Sequence, residues 1–244
     1  MRRFFVPPSN IENNQASISG SDVHHITSVL RMKTGDKISV TDGVGNLYEA
    51  EITEIKQDEI ILILDNREKI EDHKIIVRLY QAIPKGTKFD WIVEKASELG
   101  VQELIPVISE RTIPRLSEER GLKKIARWER LAFESAKQVG RVSSMKIQKA
   151  IPFKEIEHHL NPFSLKIVPW ELEDTRSLKS ILKSVRETKE IELLIGPEGG
   201  LSHDEIKALT GVGFICASLG SQILKAETAA ITAIGNIYYE LETE

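Results

Sequence analysis

Two glycine-marked stretches near the C-terminal end carry the residue types best suited to gripping a small molecule: LLIGPEGGLS at residues 193–202 and LGSQILKAETAA at 219–230. In the first, an apolar run stops at three glycines, a proline and a carboxylate. Ser202 and Glu205 then have the form of a capping box, so a helix starts at once with its free backbone N–H groups facing the loop. Glycine lets backbone come close to a ligand, and in open α/β sheets ligands bind at the carboxyl ends of the strands. A ligand cradle and a bare strand-to-helix connection both fit this stretch taken alone. Other chemistries find no support. There is no phosphate loop ending in Gly-Lys-Ser or Gly-Lys-Thr, no three-glycine dinucleotide fingerprint, no serine elbow between glycines and no paired-histidine zinc helix. Gly43 and Gly45 read as a hairpin turn. The histidines fall at 24, 25, 73, 158, 159 and 203, with both adjacent pairs pointing to different sides of their elements, so no metal centre is expected. The single cysteine, Cys216, lies in the apolar run GFICA (213–217) and reads as a buried, inert thiol.

These loops need a scaffold, and the chain supplies one in two parts. Residues 1–70 read mostly as strands: DKISVT (36–41), LYEAEI (47–52) and IILIL (60–64) suggest hairpins of a small barrel, with a short helix near HHITSVL (24–30). The charged run DNREKIEDH (65–73) reads as a linker. From 74 to 244, strands and helices alternate. Phe89, Ile92, Ala96 and Leu99 mark one helical face, Gly100 stops that helix, and VQELIPVI (101–108) is the next strand. A long helix covers about 119–139, shorter apolar runs lie at 147–151, 165–168, 191–195 and 212–217, and a last helix covers about 226–241. This is the pattern of a mostly parallel sheet with helices on both faces, an α/β fold. Trp91 and Trp128 fall within apolar helical faces and read as core or interface.

With 244 residues and 41% apolar content, the chain can bury one large core or two modest ones. One cysteine excludes an intrachain disulfide framework and fits a reducing compartment. MRRFFV starts like a signal peptide, but Pro7 and Pro8 end its apolar run, and no membrane-spanning run follows; the expected location is the cytoplasm. The net charge of -4 conceals an uneven distribution, because residues 84–150 carry 14 basic against 9 acidic side chains. Such a local patch suits a polyanionic partner, while a solvated basic face remains the plain alternative.

The pair LLIGPEGGLS and LGSQILKAETAA resembles the bacterial 16S ribosomal RNA (uracil-N3) methyltransferase family of the SPOUT superfamily. RRFFV at the start, HHITSVLRM (24–32) with Gly35 and Asp36, WIVEKASELGV (91–101), ERT (110–112), RWER (127–130), Gln138 and Arg141 extend the resemblance over nearly the whole chain. It implies a PUA-like β-barrel that grips RNA over 1–70, followed over 74–244 by a SPOUT α/β domain with a deep trefoil knot. It also implies S-adenosylmethionine as cofactor and the assembled small subunit, with its 16S ribosomal RNA, as substrate. One wall of the cofactor pocket would come from Ile195, Gly196, Pro197, Glu198, Gly199 and Gly200. The other would come from Leu219, Gly220, Ile223, Leu224, Ala226 and Thr228, and a third loop around Pro169 in VPWE (168–171) would complete it. The family's usual motif has arginine where Gln222 and Lys225 stand; Lys225 keeps charge without the planar fork, and Gln222 loses charge.

Methylating uracil N3 requires its proton to leave while the ring nitrogen attacks a sulfonium methyl in line, so most of the work is positioning plus a cation that favours the uracil anion. Arg141 is the candidate for that cation, and Glu227 could hold an arginine or orient the base; either could instead simply complement a helix dipole. Arg2, Arg3, Arg31, Arg111, Arg115 and Lys225, together with Lys123, Lys124, Arg127 and Arg130, are candidate RNA contacts. The resemblance and the apolar excess of AAITAIGNIYY (229–239) suggest a homodimer, with Ala229, Ala233 and Gly235 small enough to admit a second helix. Three alternatives stand beside this reading: a phosphate-handling α/β enzyme, a non-catalytic RNA-binding protein of the same fold, and methylation of a different RNA nucleotide.

Overall fold

A computed structural model describes residues 3–70, 73–111, 118–185 and 187–242, with the side chains of 118–120 left aside. The chain divides into two compact units: residues 1–72 with 136–144, and residues 73–135 with 145–244.

The first unit is a curled six-stranded sheet in the order β1-β4-β5-β6-β3-β2. Its strands are β1 (Arg3–Phe5), β2 (Ile11–Glu12), β3 (Gln15–Ser19), β4 (Lys37–Thr41), β5 (Asn46–Ile55) and β6 (Glu59–Lys69), with the helical turn α1 (Ser21–His24) running on through Val29. Two asparagines, Asn13 at φ 49° and Asn14 at φ 61°, form the two-residue turn between β2 and β3, a left-handed geometry that asparagine tolerates better than most residues. In β6 the unbroken apolar run splits by face. Ile60, Leu62 and Leu64 are buried against Ile18, Ile38, Val40 and Ile52, while Ile63 stays exposed. Asp65 to Lys69 are not linker: they continue β6, with Asp65 paired to Glu49, Glu68 to Leu47 and Lys69 to Asn46. Their side chains face solvent, and the charges that argued for a linker cost nothing on a half-exposed strand.

Residues 136–144 join this unit through short contacts. Arg3 donates to the Gly140 carbonyl, Thr41 Oγ1 donates to the Val142 carbonyl at 2.7 Å, Ser144 N donates to the Gly43 carbonyl at 2.9 Å, and Lys137 Nζ lies 2.6 Å from Asp22.

The second unit is a parallel sheet. Its strands are β7 (Ile76–Ala82), β8 (Glu103–Ile108), β9 (Lys146–Ile147), β10 (Ile151–Pro152), β11 (Leu165–Pro169), β12 (Glu190–Ile195) and β13 (Ile215–Ala217). They lie in the order β10-β8-β7-β12-β11-β13, with β9 also on β8. Its helices are α2 (Lys88–Leu99), α3 (Glu118–Gln138) as far as residue 135, α4 (Leu178–Ser184), α5 (His203–Gly211) and α6 (Ala226–Leu241). The central strands are apolar on both faces because both are covered. Val77, Leu79, Leu104, Ile191, Leu193 and Ile195 pack under α2, α4 and α6, while Tyr80, Ile105, Val107 and Leu194 pack against Ile206 and Leu209 of α5.

Gly100 ends α2 in the left-handed conformation, φ 100°, and its carbonyl accepts from Tyr238 Oη at 2.8 Å, which ties α2 to α6. Along α6, Ala230, Ala233, Ile234, Ile237, Tyr238 and Leu241 form a single buried stripe. Ala233 is fully buried in the chain's own core, so it is not a surface for a second helix; the side of α6 left to solvent carries Asn236 and Tyr239. Trp128 is core, its ring tilted against Phe89 with centroids 4.2 Å apart and its Nε1 donating to Asp90 at 2.9 Å, whereas Trp91 is exposed. A fully buried Glu192 is held by Arg78 at 3.2 Å, and the same guanidinium binds Glu103 at 2.6 Å.

Candidate active site

β12, β11 and β13 are neighbours, and their carboxyl ends release three loops side by side. After β12 the chain turns through Gly196–Gly200, with Gly200 N donating to the Pro197 carbonyl at 2.9 Å. Two of these glycines stand where a side chain would crowd its neighbours or strain the backbone. A Cβ on Gly196 would meet Leu201 Cγ at 3.1 Å; one on Gly200, whose φ is +70°, would overlap Glu171 Oε1 and come within 3.2 Å of its Cδ. Ser202 then caps α5 in a complete capping box with Glu205, whose second oxygen accepts from Glu110 N at 3.0 Å. After β13, Ser218 is clasped by the loop that follows β11: its N donates to the Arg176 carbonyl at 2.7 Å and its carbonyl accepts from Leu178 N at 2.9 Å. Gly220 continues at φ +130°, and Lys225 stands at the N-terminus of α6.

The three loops enclose one cavity of about 370 Å³. Pro169 lines it from the first loop, Ile195, Gly196, Pro197, Glu198, Gly199 and Gly200 from the second, and Leu219, Gly220, Ile223, Leu224, Lys225 and Ala226 from the third. Thr228 is exposed one turn into α6 and does not line it. Trp170, Glu171, Leu201, Ser218, Ser221, Gln222 and Ala229 also line the cavity. Ile223 stands 81% exposed at the rim.

The electrostatics of one wall involve a residue that the sequence patterns do not single out. Lys88, in the first turn of α2, donates to Glu198 Oε1 at 3.0 Å and lies 3.8 Å from Glu227 Oε2. Burial opposes ionisation of Glu198, but Lys88 and the backbone N–H of Lys85 outweigh it and hold that carboxyl below the usual carboxylate range. Glu198 in turn raises the Lys88 ammonium above its ordinary value. Glu227 Oε2 is buried and accepts no hydrogen bond. Lys88 and Glu198 are 110 positions apart, so no local spacing could have paired them.

The other predicted residues fall elsewhere. Arg111 donates to the Gly199 carbonyl and does not line the cavity. Arg127 is engaged with Asp90 at 2.5 Å, Lys124 lies 5.9 Å over the Trp128 ring, and Arg130 is exposed. Arg141, buried, and the exposed Arg3 and Arg31 belong to the first unit, whereas the cavity belongs to the second; Arg31 sits at φ 54°. Arg2 and Arg115 lie outside the described residues. Cys216 is half-buried, and burial pushes its thiol up, away from the reactive thiolate. Among the described residues no group of His, Cys, Asp and Glu is arranged to hold a metal ion, and no helix is long and apolar enough to cross a membrane.

Comparison with known proteins places this geometry in a family. Residues 71–238 match the RNA methyltransferase domain pattern and residues 18–65 match the RNA methyltransferase PUA domain pattern. Ribosomal RNA small subunit methyltransferase E of Bacillus subtilis is 29% identical over 99% of this chain and 98% of its own length. The protein of that name from Buchnera aphidicola subsp. Schizaphis graminum is 32% identical over 91% and 89%. The crystal structure of ribosomal RNA small subunit methyltransferase E from Neisseria gonorrhoeae, bound to S-adenosyl methionine, superposes with a TM-score of 0.82 at 26% identity, covering 98% of this chain and 97% of that one. With these domain matches and near-full-length relatives, the chain belongs to the ribosomal RNA small subunit methyltransferase E family of RNA methyltransferases.

Proposed function

We propose that this protein transfers the methyl group of S-adenosylmethionine to N3 of a uridine in the 16S RNA of the small ribosomal subunit. The observation that carries the reading is the convergence of two glycine turns and the Pro169 loop on one cavity, at the carboxyl ends of three adjacent parallel strands. Its volume of about 370 Å³ falls in the range of small-molecule sites. The donor set also fits: Gly196 and Gly200 leave backbone open where a side chain would crowd Leu201 or Glu171, and the buried Trp170 Nε1 has no hydrogen-bond partner. The cofactor supplies an electrophilic methyl on a sulfonium.

The chain's own residues hold and orient. The 196–200 and 219–226 walls fix the donor, and Lys88 braces Glu198 in the first of them. Arg141 favours the uracil N3 anion and Glu227 orients the base. Arg2, Arg3, Arg31, Arg111, Arg115 and Lys225 contact RNA phosphates, and the N-terminal unit is a PUA-like RNA grip. The second unit carries the SPOUT trefoil knot; the support is the clasp of Ser218 by Arg176 and Leu178, which packs the last loop against an earlier one. The active form is a cytoplasmic homodimer acting on the assembled subunit.

The test is transfer of labelled methyl from S-adenosylmethionine to small subunits purified from a strain lacking the gene, with nucleoside mass spectrometry of the product. N3-methyluridine formed on subunits, and more slowly on naked transcript, is the expected result; a different methylated nucleoside overturns the N3 assignment, and no transfer to any RNA overturns the activity. Co-expressing Gly200→Val with Arg141→Ala tests the shared site, since activity regained in heterodimers requires Arg141 to serve the partner's cavity.

A further inference from the structure

The charges lining the cavity are not all paired. Glu198 is neutralised by Lys88 at 3.0 Å and by the Lys85 N–H at 3.2 Å, so its charge is committed to the wall. Glu171 is different. It reaches in from the loop after β11, and its Oε1 lies where a side chain on Gly200 would begin. Among the described residues no cation pairs with it and no hydrogen bond satisfies it, and Lys225, the other charged residue in the lining, makes no ion pair with it. The turn at Gly200, at φ +70°, thus has against it a carboxylate that no described residue neutralises.

An uncommitted negative charge at a ligand wall favours a cationic ligand, and in a methyl-transfer site the ligand's charge changes during turnover. The donor carries a sulfonium cation; after the carbon–sulfur bond breaks, the electron pair stays on sulfur and a neutral thioether remains. Resting on the cofactor reading above, we propose that Glu171 is a charge-selective recognition residue, which strengthens binding of the sulfonium donor over the thioether product and so favours exchange of product for donor. Glu171 is solvent-exposed, so the discrimination it provides is modest, about tenfold in affinity for a charge pair near a protein surface.

The experiment measures calorimetric dissociation constants of the full-length protein for S-adenosylmethionine, S-adenosylhomocysteine and sinefungin, whose protonated amine takes the place of the sulfonium. Each is measured for the wild type, Glu171→Gln and Glu171→Asp, with thermal unfolding as a fold control. Glu171→Gln should weaken the two cationic ligands about tenfold and the thioether less than twofold. Glu171→Asp should restore part of the difference. The ratio of the S-adenosylhomocysteine constant to the S-adenosylmethionine constant is the decisive readout, because a carboxylate that merely props the loop would move all three ligands together. Equal losses for all three would show that Glu171 reads a group they share, and unchanged constants would show that it reads nothing; either overturns the proposal. A wild-type protein that binds none of the three overturns the cofactor reading itself.

Discussion

Gly200→Ala isolates the geometry on which the cavity depends. Two costs follow from the structure. Alanine at φ +70° pays the left-handed penalty, about 1–2 kcal/mol for an L-residue. Its Cβ also overlaps Glu171 Oε1, the free end of a flexible side chain, which swings aside at a rotamer cost on the order of 0.5–1.5 kcal/mol. Together they predict a fall in stability of about 1.5–3.5 kcal/mol, or roughly 3–14 °C in melting temperature for a domain of this size. Where the turn relaxes in the free protein, ligand binding must restore it at the backbone cost of about 1–2 kcal/mol, and S-adenosylmethionine affinity falls about five- to thirtyfold. Gly199→Ala is the internal control. Its Cβ would sit 3.4 Å from Arg111 Cδ, an ordinary contact, at a φ that any residue adopts, so both readouts should stay near wild type. Adding Glu171→Ala to Gly200→Ala removes the overlap and leaves the backbone penalty, so it recovers at most the smaller stability term. Thermal unfolding and calorimetric titration measure both quantities on all four proteins. Equal behaviour of the two alanine variants would refute the claim that Gly200, rather than glycine content in general, shapes the wall.

Ala233→Glu should unfold the chain rather than split an assembly, because it places a carboxylate in a fully buried site; Tyr239→Glu, at a residue 84% exposed, should leave urea stability unchanged and alter the mass in solution only where α6 makes the dimer contact. Arg78→Met strands the fully buried Glu192 and should cost about 3–5 kcal/mol in denaturant unfolding, while Arg78→Met with Glu192→Leu should cost less than the single change. Burial of Glu103 opposes its ionisation, but hydrogen bonds from Gln148 and Arg78 outweigh it, and its pKa lies below the ordinary 4.5. A depressed folded value means stabilisation that is complete above the ordinary pKa and lost as pH falls through the folded one. Glu103→Gln should therefore flatten the acid limb of stability below about pH 4.5, and an unchanged limb would contradict the assignment.

Much of the second unit is legible along the chain because its signals are local. Helical spacing of apolar residues in α2 and α6, the glycine stop at Gly100 and the Ser202–Glu205 capping box each involve residues within a few turns of one another. The two glycine stretches of the cavity are equally visible, since a backbone that must turn left-handed or admit a neighbour needs glycine whatever surrounds it. Tertiary structure decided the rest. Charge at 65–69 argued for a linker, but pairing with β5 made it strand, because half-exposed strands accept charge on their solvent face. Ala233 read as a docking surface until α6 was seen packed against the rest of the core; composition cannot say which side of an apolar helix its own chain covers. Arg141 follows the last turn of α3 in sequence, yet groups in space with the N-terminal sheet. The bracing of Glu198 by Lys88 and the seating of Glu171 over Gly200 are meetings of loops far apart in sequence. Such meetings leave no periodicity, so they exist for a reader only once the strands that carry the loops are placed side by side.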